Sequence, residues 1–129
     1  MAELTDKARA LIDDPNFAHL ATVGNDCVPQ LTPVWIDRDG NTIRINTAKG
    51  RAKDRNMRRD PRVAISIADT DDPYSRVEIR GRVVGIVDEP EARKHIDGLN
   101  RKYHDSDDDY PVRPGEERVI FLIEPERVL

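Results

Sequence analysis

The chain has 129 residues, a length that holds one domain, and only 37% of them are hydrophobic against 36% charged. About two thirds of the unfolded surface can be buried at this size, which removes the need for disulfide or metal staples. The small apolar share leaves the core thin, or completed by a second subunit or a cofactor, and the net charge of -4 argues against a general nucleic-acid binder.

Leu4, Ala8, Leu11 and Ile12 recur at helical spacing between a capping Thr5 and Pro15, which predicts an amphipathic helix laid on a sheet. Residues 17–23 and 28–37 read as strands joined by the turn Gly24-Asn25-Asp26, and residues 41–47 as a third strand after a turn at 37–40. Connections this short make an antiparallel meander. Pro29 and Pro33 lack an N–H, so the second strand belongs at an edge or carries a bulge. In the third strand Ile43, Ile45 and Thr47 alternate with Arg44 and Asn46, giving one core face and one polar face. Residues 50–59 predict a short helix that stops before Asp60-Pro61, and residues 63–68 a strand. The long strand at 75–88 contains Gly81 and Gly85, which permit bulges and curvature. A helix over 89–103 places Ala92, Ile96, Leu99 and Tyr103 on one face, an acidic loop covers 104–117, and a last strand at 119–123 is ended or bent by Pro125. Six strands with two inserted helices predict a mainly β domain over residues 1–129, a small closed or split β-barrel with peripheral helices.

Charge is unevenly spread. Residues 49–62 hold seven basic side chains against Asp54 and Asp60, a local +5, so the remainder of the chain carries -9. Within them Arg51 and Lys53 sit where a strand turns into a helix. There the free N–H groups and the dipole favour a phosphate or carboxylate, although a solvated basic helix fits the same composition. His19, His95 and His104 have no metal-ligand spacing, and no metal site is expected. The aspartates after His104 lack the glycine and terminal glutamate of a calcium loop. The one cysteine, Cys27, excludes an intramolecular disulfide and has no cationic neighbour in sequence to activate it. Trp35 and Tyr74 stand out among few aromatics, Trp35 as core filler or ligand wall and Tyr74 as an exposed turn residue or ligand wall. No apolar run approaches the ~18 residues of a membrane span. The charged opening has no signal-peptide core, so no membrane association and a soluble cytoplasmic protein are expected.

The strand His19-Leu20-Ala21-Thr22-Val23, the run Pro29-Gln30-Leu31-Thr32-Pro33-Val34-Trp35, the pair Asn46-Thr47 and the segment Arg51-Ala52-Lys53-Asp54-Arg55-Asn56-Met57-Arg58-Arg59-Asp60-Pro61-Arg62-Val63 together resemble the pyridoxamine 5′-phosphate oxidase-like split-barrel flavoproteins. Within them the chain most resembles the branch that uses the deazaflavin coenzyme F420. That resemblance implies a homodimer with a cofactor site at each interface and hydride transfer to a small organic acceptor. It implies that Arg51 and Lys53, with Asn56, hold the cofactor phosphate. Gln30, Leu31, Thr32, Pro33 and Val34, and Asn46, Thr47 and Ala48, would lie along the ring system and side chain. Tyr74, Ser75 and Arg76 would come from the other subunit. Pro33 replaces a polar residue of some relatives and leaves recognition there to the backbone. FMN, in a flavin oxidoreductase of the same fold, is the alternative cofactor, and a non-catalytic carrier is the alternative role. The resemblance assigns no catalytic residue, and the proton donor is open between Tyr74 and solvent.

Overall fold

In the computed structural model, which describes residues 2–129, the Thr5 hydroxyl accepts the Ala8 N–H at 3.1 Å and starts helix α1 (Asp6–Asp13). Its buried face is Ala8, Leu11 and Ile12, as their spacing requires. The strands that follow are β1 (Ala18–Val23), β2 (Pro29–Val34), β3 (Asp37–Asp39) and β4 (Thr42–Ala48). Helix α2 (Ala52–Arg59), strands β5 (Arg62–Ala68) and β6 (Arg76–Val87), helix α3 (Glu91–His104) and strand β7 (Arg118–Val128) complete the order. Among the described residues the seven strands form one sheet in the order β2-β1-β5-β6-β7-β4-β3, antiparallel at every pairing.

Two boundaries differ from the sequence expectation, which had six strands. The segment at 28–37 is not one strand: β2 stops at Val34, paired with Ala18, and β3 begins at Asp37, paired with Arg44 on the opposite edge of the sheet. Only Trp35 and Ile36 separate these edges, and the three steps from Val34 to Asp37 span at most about 11 Å. The sheet must therefore curl until its two edges meet, and the chain rather than a hydrogen-bond ladder closes it. This is the split barrel. The proline-bearing β2 lies at an edge, where missing donors cost nothing to the ladder.

The last strand does not end near residue 123. It runs through Pro125 because that residue faces Gly81 at a register shift, where the ladder is already interrupted. A Cβ at Gly81 would stand 2.7 Å from Ile123 Cγ2, so only glycine lets β6 and β7 approach there. A second shift lies between Val83 and Gly85, and the two bulges supply the curvature anticipated for this strand. Inside the curl, Leu20, Ile36, Ile43, Ile45, Ile65, Ile67, Ile79 and Phe121 are fully enclosed, with Met57 of α2 against them. Helix α3 packs Ala92, Ile96 and Leu99 on β7 and β4. Among the described residues no helix is long and apolar enough to cross a membrane.

Candidate functional site

Strand β4 delivers Asn46, Thr47 and Ala48 to the place where the chain turns into α2. Gly50 makes the turn at φ +91°, a left-handed conformation that suits glycine. Asp54 locks it, its buried carboxylate accepting the Gly50 N–H and the Arg58 Nε–H, each at 2.8 Å. Arg51 occupies the N-cap position and gives no side-chain cap, so the first-turn amides and the positive end of the dipole stay open to an anion. Strand β7 pairs its first residue, Arg118, with Ala48 and so brings a third cation to the same spot.

These elements border a cleft of about 210 Å³. Asn46, Thr47, Arg51, Lys53 and Arg118 form its polar side, and Phe17, Pro33, Val34, Trp35, Ile96 and Tyr110 its apolar side. Arg118 is 3% exposed; its Nε donates to Asn46 Oδ1 at 2.9 Å, and its guanidinium lies 5.0 Å from the Tyr110 ring centroid. Glu116 is the carboxylate that reaches these cations, 3.3 Å from Arg118 and 3.5 Å from Arg51. Burial pushes the Lys53 ammonium below its ordinary value, and the neighbouring Arg51 and Arg118 charges push it further. Three cations against one carboxylate leave the cleft short of negative charge. The hydroxyl of Thr47 is buried with no hydrogen-bond partner among the described residues, as is that of Thr32 on β2. Such orphans are uncommon in folded proteins and point to a missing partner.

The sequence expectation brought Pro33, Val34, Asn46, Thr47, Arg51 and Lys53 to this cleft, and the structure gathers all of them there. Asn56 is turned away: it donates to Thr22 Oγ1 at 3.0 Å, and Thr22 donates to Gln30 Oε1 at 3.1 Å, so it ties α2 to β1 and β2. Leu31 is exposed, and Ala48 is buried beneath the turn. Tyr74 and Arg76 border a separate pocket with Lys7, Ser66, Val77, Glu78 and Leu129, which shares no residue with the cleft in this chain. Trp35 is no core filler. It is half-buried, stacked on Tyr103 at 5.3 Å and edge-on to His104 and Tyr110. Sequence reasoning missed Arg118, Glu116 and Tyr110. They lie around the acidic loop, where one arginine ahead of the run Val119-Ile120-Phe121-Leu122-Ile123 reads as an ordinary flank.

A family model described as pyridoxamine 5′-phosphate oxidase matches residues 4–129. The chain belongs to the pyridoxamine 5′-phosphate oxidase family. Its split-barrel fold and its oxidoreductase character accord with that membership. Among solved structures, the chain is similar to an F420 reductase at 35% identity and TM-score 0.83, with 94% of each chain covered. A conserved hypothetical protein of Mycobacterium tuberculosis, Rv2991, is 27% identical with TM-score 0.74, over 99% of this chain and 82% of that one. A candidate pyridoxamine 5′-phosphate oxidase from Listeria innocua is 25% identical with TM-score 0.72, over 98% and 97%.

Proposed function

We propose that this family member is an F420-dependent oxidoreductase, acting as a homodimer on a small organic acceptor. The observation that carries the reading is the convergence of Arg51, Lys53 and Arg118 on an uncapped helix start beside the unpartnered Thr47 hydroxyl. The 35% identity to an F420 reductase supports the choice of cofactor.

The residues present fit such a group. Arg51 offers a two-pronged donor and Lys53 a point charge to the phosphate, and the first-turn amides of α2 add neutral donors. The Thr47 hydroxyl is free to donate to a cofactor oxygen, and Thr32 on the edge strand has the same capacity. Pro33, Val34 and Trp35 line the apolar side of the cleft, where they would keep water from one side of a bound planar ring. When bound, the reduced deazaflavin supplies the hydride. The chain's own work is to anchor charge, orient the ring and shield it. Gln30, Leu31, Asn46 and Ala48 extend the proposed contact line along β2 and β4.

A cleft of about 210 Å³ is smaller than the roughly 300–1,000 Å³ of a complete small-molecule site. That shortfall supports the dimer, in which Tyr74, Ser75 and Arg76 of the second copy would finish the pocket. Titrating the purified protein with F420 and with FMN, followed by fluorescence quenching and then by turnover of reduced F420, tests the reading. Tight F420 binding with turnover is expected. FMN binding in its place overturns the cofactor, and F420 binding without any turnover overturns the enzyme.

A further inference from the structure

Asn46 has its amide fixed from two sides. Its Nδ2 donates to the Ala92 carbonyl at 2.8 Å, and its Oδ1 accepts from Arg118 Nε at 2.9 Å. A carbonyl only accepts and a guanidinium only donates, so the amide cannot be turned over without losing both bonds. The same NH2 faces His95 Nδ1 at 3.1 Å, which must therefore be unprotonated and accept. On the other side of the ring, His95 Nε2 meets Asp37 Oδ1 at 2.8 Å. Asp37 also takes two hydrogen bonds from Arg44, at 3.0 and 2.7 Å, and is an ionised carboxylate that can only accept. Both neighbours thus demand one tautomer, with the proton on Nε2. The chain Arg44, Asp37, His95, Asn46, Arg118 runs unbroken from the surface between β4 and α3 to the anion cleft. His95 and Arg118 have side chains only 5% and 3% exposed.

We propose that His95 is a positioning residue: its unprotonated Nδ1 holds the Asn46 amide and, through it, sets the Arg118 guanidinium in the cleft. This rests on the reading that the cleft takes an anionic cofactor. A residue kept for packing alone would need both ring contacts equally. For positioning, only the Nδ1 contact matters to the ligand.

Two substitutions separate the contacts. His95→Asn places a carbonyl oxygen near the Nδ1 position and keeps an acceptor for Asn46, while abandoning Asp37. His95→Gln places an amide nitrogen near the Nε2 position and keeps a donor for Asp37, while abandoning Asn46. His95→Gln is expected to weaken F420 binding about tenfold, the scale of a displaced charge-assisted bond, and His95→Asn to leave it near wild type. Both variants should lower the melting temperature. Nitrogen-15 NMR of the unliganded protein supplies a readout that needs no cofactor. The His95 ring should show the Nε2-protonated tautomer. The Arg118 Nε–H signal should be protected from exchange in the wild type and in His95→Asn, and lost in His95→Gln. Equal loss of affinity in the two variants, an Nδ1-protonated ring, or an Arg118 signal indifferent to residue 95 overturns the proposal. If the wild type fails to bind F420, the cofactor reading falls, and the Arg118 signal alone decides the positioning role.

Discussion

Lys53 is held in a place that disfavours its charge, since burial and two neighbouring guanidinium groups lower its affinity for a proton. In the unliganded fold this is a penalty, present at neutral pH and relieved as pH rises toward the ordinary lysine value of 10.5. A bound phosphate reverses the sign by stabilising the charged form. Lys53→Ala should therefore weaken cofactor binding about 10- to 150-fold, the range for losing a charge-assisted hydrogen bond, with no loss of melting temperature. In the wild type, affinity should fall on the alkaline side at a pH below 10.5, and Lys53→Arg should push that fall upward. A pH-independent affinity would remove Lys53 from the site. Thr47 makes the complementary case. Because its hydroxyl has no partner, Thr47→Val should keep or raise the stability of the unliganded protein, by up to about 1–3 kcal/mol, while weakening the cofactor. Calorimetry with and without cofactor separates the two effects. A destabilised variant with unchanged affinity would show that the hydroxyl serves the fold instead.

At the scale of elements, the crossing from β2 to β3 is what makes the barrel, and Tyr103 at the end of α3 holds it. Its hydroxyl accepts the Ile36 N–H at 3.0 Å and donates to the Asn16 carbonyl at 2.7 Å, while Lys102 donates to the Ile12 and Ile36 carbonyls at 2.5 and 2.6 Å. Burial pushes the Tyr103 phenol up to about 12. A raised acid favours the protonated fold, so this stabilisation is complete below pH 10 and is lost as pH rises from 10 toward 12. Tyr103→Phe should cost about 1–3 kcal/mol in chemical denaturation at neutral pH, because the Ile36 N–H loses its acceptor, and the loss of stability above pH 10 should flatten. Most elements were legible because local signals agreed: the capped amphipathic α1, the proline-marked edge at β2, the glycine bulges of β6. The break at Trp35-Ile36 was not legible, since Val34, Trp35 and Ile36 all favour a strand and only the distant pairing of Asp37 with Arg44 divides the segment. Of the cleft, Arg51 and Lys53 could be read from their place at a helix start. Arg118 could not, because what brings it there is the register of β7 on β4.

At the scale of the whole molecule, the chain exposes 7337 Å², somewhat more than the roughly 6,900 Å² typical of a compact monomer of this mass. Tyr74, at 91% exposure, and Arg76 stand outside the cleft of their own chain. Those facts fit a homodimer in which each chain lends its Tyr74–Arg76 turn to the other's cationic cleft. Sedimentation at micromolar concentration should then give twice the chain mass. A sharper test uses two defective variants, Lys53→Ala combined with Arg51→Ala, and Tyr74→Ala combined with Arg76→Ala, each expected to bind cofactor poorly alone. Unfolded together in equal amounts and refolded, half of the dimers become mixed, and each mixed dimer has one site with all its residues intact and one site damaged twice. About a quarter of the wild-type sites should return, measured as high-affinity cofactor bound per chain. Recovery at that level requires both chains to build each site. If mixing restores nothing while each variant remains folded and dimeric, the turn at Tyr74 belongs to some other surface, and the cleft must be completed by elements of its own chain.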